Sequence, residues 1–148
     1  MTTNSKDMYH QMADYAYIAG LFDGEGSLQY KKAWEKKKKH KGEGYRKTHA
    51  WRINMEIAMT DEPVIRWVHE TLKVGSVIKR NVKGLTKGGG RYKTQWRWRC
   101  SHRDAYGVAK LMWPFAQVKL HKIEQIIDHY EPEHKAENVI SLEAYRNE

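Results

Sequence analysis

The chain has 148 residues, with 27 Lys and Arg against 18 Asp and Glu for a net charge of +9, and 40% hydrophobic residues that include six Trp and nine Tyr. That length suits one compact domain rather than two, and this aromatic content excludes a disordered basic tail. The single cysteine, Cys100, excludes a disulfide framework and any multi-cysteine zinc module, and no apolar run approaches the roughly 20 residues that span a bilayer.

In chain order, residues 1–8 read as a polar leader, lacking the apolar stretch of a signal peptide and the arginines of a transit peptide. From Met8 to Phe22 the recurrence of Met8, Met12, Tyr15, Ala16, Ala19 and Phe22 at three- and four-residue steps predicts a helix that Gly24 and Gly26 should end. Ser27 to Trp34 and Ala50 to Ala58 alternate instead, clearest in Trp51, Ile53, Met55 and Ile57 against Arg52, Asn54 and Glu56, which predicts two half-buried strands. Between them lies a hairpin tip dense in lysine: Lys31, Lys32, Lys36, Lys37, Lys38, Lys39 and Lys41, broken by Trp34 and Glu35 and running into Gly42 and Gly44. The run has no helical period and no opposing apolar face, which argues against a membrane-surface helix. It suits a solvated loop or a polyanion contact.

Thr60 or Asp61 is placed to cap a second helix, with Pro63 in its first turn, Val64, Ile65, Val68 and Leu72 on its inner face and Gly75 as its stop. Ser76 to Val82 and Arg91 to Cys100 form a second predicted strand pair around a turn holding Gly84, Gly88, Gly89 and Gly90, with Trp96 and Trp98 alternating with Arg97 and Arg99. Asp104 opens a helix that runs to Pro114, and another follows from about Gln117 to His129. Residues 9–131 make the folded domain, and 132–148 a polar tail with a predicted short helix from Ser141 to Tyr145. Helix, strand, strand, helix, strand, strand, helix, helix is an α+β order: an antiparallel sheet covered by helices on one side. The uncovered face then carries Arg52, Asn54, Glu56, Arg97 and Arg99, groups able to form paired hydrogen bonds to base edges in a nucleic-acid groove. An ordinary solvated sheet face would carry the same residue types.

The segment Tyr17-Ile18-Ala19-Gly20-Leu21-Phe22-Asp23-Gly24-Glu25-Gly26-Ser27 carries the chemistry. Ala16, Gly20 and Gly24 recur every four residues, a stripe of minimal side chains that lets a second helix approach backbone to backbone. Asp23 and Glu25 follow at a helix end where the macrodipole is negative, so a carboxylate gains nothing locally. Were two copies to pack along the stripe, their carboxylates would meet near the symmetry axis, where a divalent metal relieves the repulsion.

This segment resembles the signature of the LAGLIDADG homing endonucleases and the related intron maturases. Ile18 stands at the first Leu, Ala19 and Gly20 match, Leu21 and Phe22 fill the apolar positions, and Asp23, Gly24, Glu25 and Gly26 complete the motif. The element order is similar to the family's helix-hairpin-helix-hairpin-helix core with its antiparallel DNA-binding saddle. Pro114-Phe115-Ala116-Gln117-Val118-Lys119 resembles the family's PF-x-x-x-K segment before the last helix. The likeness covers about residues 9 to 130 and is nearest to the single-motif enzymes of group I introns. The motif occurs once, since the helix ending near Gly75 has Lys73 where an acid would be required.

The resemblance implies a homodimer joined through Ala16, Gly20, Asp23 and Gly24, and symmetry then implies a long, near-palindromic DNA site. It implies that Glu25, with the Gly24 carbonyl, holds Mg²⁺, with Mn²⁺ or Ca²⁺ able to occupy the same sites, for a staggered double-strand cut across the minor groove. Asp23 is expected to bond across the helix pair or cap the partner's backbone. Lys119 corresponds to a basic residue that organises water or developing charge. Readout is implied for Gln29, Lys31, Arg52, Asn54, Glu56, Arg80, Arg97 and Arg99, while Lys36, Lys37, Lys38 and Lys39 follow phosphates. The chain departs from the family at the end of the second strand, where Met59 stands in place of a polar, water-positioning residue, which leaves that group unassigned or supplied by Asp61 after a shift of register.

The eight histidines lack finger-like spacing, and Trp51, Trp67, Trp96, Trp98 and Trp113 fall on core-facing phases, with Trp34 the exception beside the basic tip. The expected partners are double-stranded DNA and a second copy of the chain, with no membrane and in an intracellular, reducing compartment, whether an organelle or a bacterial or phage-infected cytoplasm. Two rival functions share the fold: a maturase that binds intron RNA, and a non-enzymatic DNA-binding regulator. Glu25 and Lys119 favour the nuclease.

Overall fold

The computed structural model describes residues 5–38, 42 and 44–132. Helix α1 (Ser5–Glu25) leads directly into strand β1 (Gly26–Lys38), which returns as β2 (Tyr45–Met59). Helix α2 (Glu62–Leu72) precedes the second hairpin, β3 (Ser76–Arg80) and β4 (Gln95–Ser101), and α3 (His102–Met112) and α4 (Leu120–Tyr130) follow. The sheet is antiparallel in the order β1-β2-β4-β3. The expected element order and α+β class hold.

The boundaries differ in instructive ways. Helix α1 begins at Ser5, so the polar leader is shorter than residues 1–8, and it runs through Gly20 and Gly24 to Glu25. An internal glycine costs a helix roughly 1 kcal/mol without breaking it. What ends α1 is Gly26, where a Cβ would collide with the Phe22 ring. β1 and β2 continue further into the lysine tip than expected. β3 and β4 are shorter, leaving Asn81 to Thr94 as a loop, and α4 starts at Leu120 rather than Gln117. Asp61 is the cap of α2, accepting the Val64 N–H at 3.2 Å. The expected Ser141 to Tyr145 helix, like residues 1–4, lies outside the described residues.

The core lies between the sheet and the helices. Ile18, Ala19 and Phe22 of α1 meet Ile53, Met55 and Ile57 of β2, Ile65 and Val68 of α2, Trp98 of β4, Val108 and Met112 of α3 and Ile123 and Ile126 of α4. Trp98 anchors the turn after α2: its indole donates to the Val74 carbonyl at 3.0 Å, and Gly75 passes at φ +86° where a Cβ would press on the Arg99 carbonyl. Trp67, Trp96 and Trp113 are half-buried against this core, in keeping with their phases. Burial pushes the Cys100 thiol up to about 12, with Asp104 adding to it, which disfavours the thiolate.

Helix α1 is apolar on two sides. Its inner side is fully buried, yet Met8, Tyr9, Met12 and Tyr17 on other positions remain more than half exposed. A helix of this kind has one face spent on its own core and a second without cover.

Candidate functional site

The site forms where α1 hands over to β1. The end of α1 and the segment before α4 are 94 to 96 residues apart in sequence and are joined through Asp23: its carboxylate accepts the Gln117 N–H at 2.8 Å on one oxygen and the Lys119 N–H at 3.1 Å on the other. The Lys119 ammonium returns the contact, donating to the Asp23 carbonyl at 2.7 Å with Nζ 5.7 Å from the Phe22 ring centre. The cation thereby covers a carbonyl that the C-terminal turn of α1 leaves without a helical partner. Lys119 is held two residues before Glu25.

The role expected of Asp23 across a helix pair concerns a second copy; within one chain Asp23 has a joining role of its own. Both carboxylate oxygens are engaged within its own chain, because the backbone N–H groups of residues 117 and 119 face it where the chain turns into α4. Asp61 Oδ1 caps α2, and Met59 is half-buried against the core opposite Trp96. Gln117 is the exposed polar side chain that the Asp23 joint brings to this corner, a placement that depends on a contact far away in sequence.

Glu25 and Gly24 are exposed, and beyond the helix's own backbone no atom lies within 4 Å of where a Cβ would stand at Gly20 or Gly24. The small-residue stripe is thus bare in one chain. Beside it, a cleft of about 510 Å³ between α1 and α2 is lined by Ala13, Asp14, Tyr17, Pro63, Val64 and Trp67, with Tyr17 set edge-on to Trp67 at 5.5 Å. Among the described residues no group of three or more His, Cys, Asp or Glu could hold a metal ion. At this corner the chain presents the exposed Glu25 beside the Gly24 carbonyl.

The sheet face away from the helices collects the expected readout residues. Register places Gln29 opposite Asn54, Lys31 opposite Arg52 and Glu56 opposite Arg99, with Arg97 and Arg80 one step along on β4 and β3. Asn54 donates to the Gln29 carbonyl oxygen at 2.9 Å, leaving the Gln29 amide N–H groups and the Asn54 oxygen for an outside partner. Arg97 is half-buried with its Nε 3.5 Å from Glu56, whereas Arg99 is exposed. Lys36, Lys37 and Lys38 belong to β1 at its far end, and Lys39 lies outside the described residues.

An aromatic cluster that the sequence pattern did not disclose supports that far end. Tyr30 and Trp51 stack at 4.7 Å, and His129 of α4 meets both edge-on, with its Nδ1 3.3 Å from the Tyr30 hydroxyl. Burial and then the nearby Asp128 carboxylate hold the Tyr30 hydroxyl above the usual phenol range. Trp51 remains 38% exposed and Trp34 63%, so the helices' cover runs out here and the hairpin continues beyond it.

No family profile matches the chain, and no curated protein matches it in sequence. Solved structures do match. The homing endonuclease I-CvuI, in complex with the I-CreI target in the presence of Mg, superposes with a TM-score of 0.61 at 15% identity over 81% of this chain and 67% of that one. The homing endonuclease I-TnaI gives 0.56 at 13% identity over 89% and 81%. The LAGLIDADG meganuclease I-CpaMI, bound to uncleaved DNA, gives 0.54 at 13% over 84% of this chain but 38% of that chain. The chain has the LAGLIDADG homing endonuclease fold.

Proposed function

We propose that the chain is one subunit of a homodimeric, divalent-metal-dependent DNA endonuclease that makes a double-strand cut in a long, near-palindromic site. The observation that carries this reading is the corner where exposed Glu25 and Gly24 stand beside Lys119, at one end of a sheet whose open face is lined by Gln29, Asn54, Arg52, Arg97 and Arg99. The relatives in fold include proteins solved on DNA with Mg or Ca, which supports the same reading.

In the dimer, the bare stripe of Ala16, Gly20 and Gly24 lies against its symmetry mate, and the apolar cleft between α1 and α2 extends the contact. Glu25 and the Gly24 carbonyl of each copy would hold the metal, Mg²⁺ in the working enzyme, which supplies charge neutralisation at the reacting phosphate. Glu25 is exposed and Gly24 has open space beside it, as a shared site requires. Lys119, fixed to the Asp23 carbonyl, sets a cation at the same corner, where it orients water and offsets charge developing on the phosphate. The sheet face binds and orients the duplex. Cys100 is buried and unpaired, in keeping with work in a reducing intracellular compartment.

The test is direct. Protein is incubated with a randomised duplex library and Mg²⁺, and the cut ends are sequenced while sedimentation reports the assembly state. The reading expects a symmetric consensus, cutting that stops with chelator, and a dimer. A monomer that binds duplex without cutting it in any divalent metal would overturn it, and tight binding of structured RNA instead would favour the maturase.

A further inference from the structure

The sheet face that carries the helices continues past them. Strand alternation puts Tyr30, Lys32 and Trp34 of β1 on that face with Trp51 and Ile53 of β2, and register sets Lys32 directly opposite Trp51. His129, near the end of α4, closes on Tyr30 and on Trp51 at 5.2 Å, and there the cover stops. Trp51 and, one diagonal step further out, Trp34 stay exposed with exposed Lys32 beside them. This patch faces away from Gln29, Asn54, Arg52 and Arg99 and has no part in the open face described above.

The chain brings a segment of its own to this place. Pro132 turns Glu131 out of the helical region, to φ −127° and ψ 70°, and the Lys110 ammonium lies 3.6 Å from the Glu131 carboxylate, so the exit from α4 is fixed against α3. Pro132 stands three residues past the imidazole that touches Trp51, and Val139 is seven residues further, roughly 23 Å of fully extended chain. Residues 133–148 lie outside the described residues, but their sequence has the chemistry the patch lacks. Val139, Ile140, Leu142 and Tyr145 fall within seven residues, and Glu133, Glu137, Glu143 and Glu148 outnumber Lys135 and Arg146. The hairpin is the complement: between Tyr30 and Ile53 it holds ten Lys and Arg against two Glu.

We propose that residues 137–145 dock on the outer end of the helix-bearing sheet face, with Val139, Ile140 and Leu142 on Trp51 and Trp34 and with Glu137 and Glu143 toward Lys32 and the neighbouring cations of the hairpin. A short tether holds the segment at an effective concentration on the order of millimolar, so a contact of modest area suffices. A second copy or a free nucleic acid must compete with that concentration. Docking also occupies hairpin cations with internal carboxylates, and a polyanion gains those contacts only by displacing the tail.

The full chain labelled with 5-fluorotryptophan tests this by fluorine NMR, the Trp34 and Trp51 lines being assigned through Trp34→Phe and Trp51→Phe. Ile140→Ser/Leu142→Ser should move both lines toward the position of solvent-exposed indole and leave the line of fully buried Trp98 in place, which also shows the domain folded. From the other side, Lys32→Ser/Trp34→Ser should speed amide hydrogen exchange over residues 139–145 several-fold. Glu137→Gln/Glu143→Gln should shift the lines less but in the same sense, and added salt should bring the native sequence toward that variant. A short duplex of arbitrary sequence should bind Ile140→Ser/Leu142→Ser several-fold more tightly than the native sequence. Trp34 and Trp51 lines indifferent to the tail substitutions, or exchange over 139–145 as fast in the native sequence as in a free peptide, would overturn the docking. Native line positions that move toward exposed indole on dilution would assign the patch to a second copy, and equal duplex affinity of variant and native sequence would overturn the competition. None of these measurements requires DNA to be cut, so failure of the endonuclease reading and failure of the docking are separate results.

Discussion

β1 and β2 pair without interruption from Gly26 opposite Ile57 to Lys38 opposite Tyr45, and the hairpin outruns its helical cover beyond Tyr30 and Trp51. β3 and β4 pair only from Ser76 opposite Arg99 to Arg80 opposite Gln95, and then give way to a loop longer than either strand. The long hairpin points away from the corner of Glu25 and Lys119. The difference teaches how one small domain separates two demands. On the proposed reading, binding strength would come from cations spread along the arm, where small displacements matter little, whereas chemistry would be confined to the end where α1 and the segment before α4 are tied together by directed bonds. Phosphate attraction tolerates imprecision; a reacting carboxylate does not.

The sharpest way to break this comparison is Glu25→Gln. Cutting should fall to background while gel-shift affinity on the same duplex stays within a few-fold, since the arm and the sheet face are untouched. Full cutting by the variant would place the chemistry elsewhere. Next in size, Arg97→Ala and Arg99→Ala probe the zone between the two ends. Each should cost about 1 to 3 kcal/mol on the preferred site and relax base preference at one position per half-site, measured by competition among single-base variants. Arg99, exposed, should show the cleaner change in preference. Arg97, held by Glu56, should also lose stability because a half-buried carboxylate is left without its cation. A uniform fall in affinity on every sequence would reduce the face to a phosphate cradle.

Asp23→Asn sharpens the contrast from the other side. It keeps one acceptor for two N–H donors, so denaturant unfolding should show a loss of about 1 kcal/mol. Turnover should drop more than binding, because the turn into α4 that carries Lys119 loses one of its side-chain ties to Asp23, although the Lys119 ammonium keeps the Asp23 carbonyl. An unchanged cleavage rate would show that this joint only stabilises. Smallest for each residue changed is neutralisation of Lys36, Lys37, Lys38 and Lys39. Binding should weaken equally on all duplexes, with the salt slope reduced by about 0.9 for each phosphate released and the single-turnover cutting rate at saturation unaltered.

The contrast between the ends also decides what could be read without coordinates. The long strands and the open face were legible because alternation over Trp51 to Ile57 and Trp96 to Arg99 is a local signal that the pleat imposes. Glu25 and Lys119 were singled out through the motif residues around them, and the structure brings the Lys119 ammonium to the Asp23 carbonyl, two residues before Glu25. The Asp23 bonds were not legible, since their partners lie 94 and 96 residues on and a carboxylate's choice between its own chain and a neighbour leaves no mark in spacing. The continuation of α1 through Gly20 and Gly24 was hidden for a related reason: glycine weakens a helix by an amount that the packing of Ile18, Ala19 and Phe22 outweighs. The same holds for Tyr30, Trp51 and His129, whose meeting depends on where α4 lands on the sheet.

The Gly26 junction has a mechanical consequence. Because no side chain fits between it and the Phe22 ring, helix and strand meet there in a close-fitting joint, and β1 runs roughly 40 Å from it to Lys38 at about 3.3 Å per residue. If the strand swings as one body, the arm is a long lever with its fulcrum beside the carboxylate. A displacement of the tip by roughly 3 Å, as an imperfect outer sequence would impose, turns the joint by only about 5° and moves atoms one residue from it by a few tenths of an ångström. On the proposed reading, errors at the flanks would arrive at Glu25 strongly geared down, and the outer base pairs of a target could vary while the geometry at Glu25 is preserved.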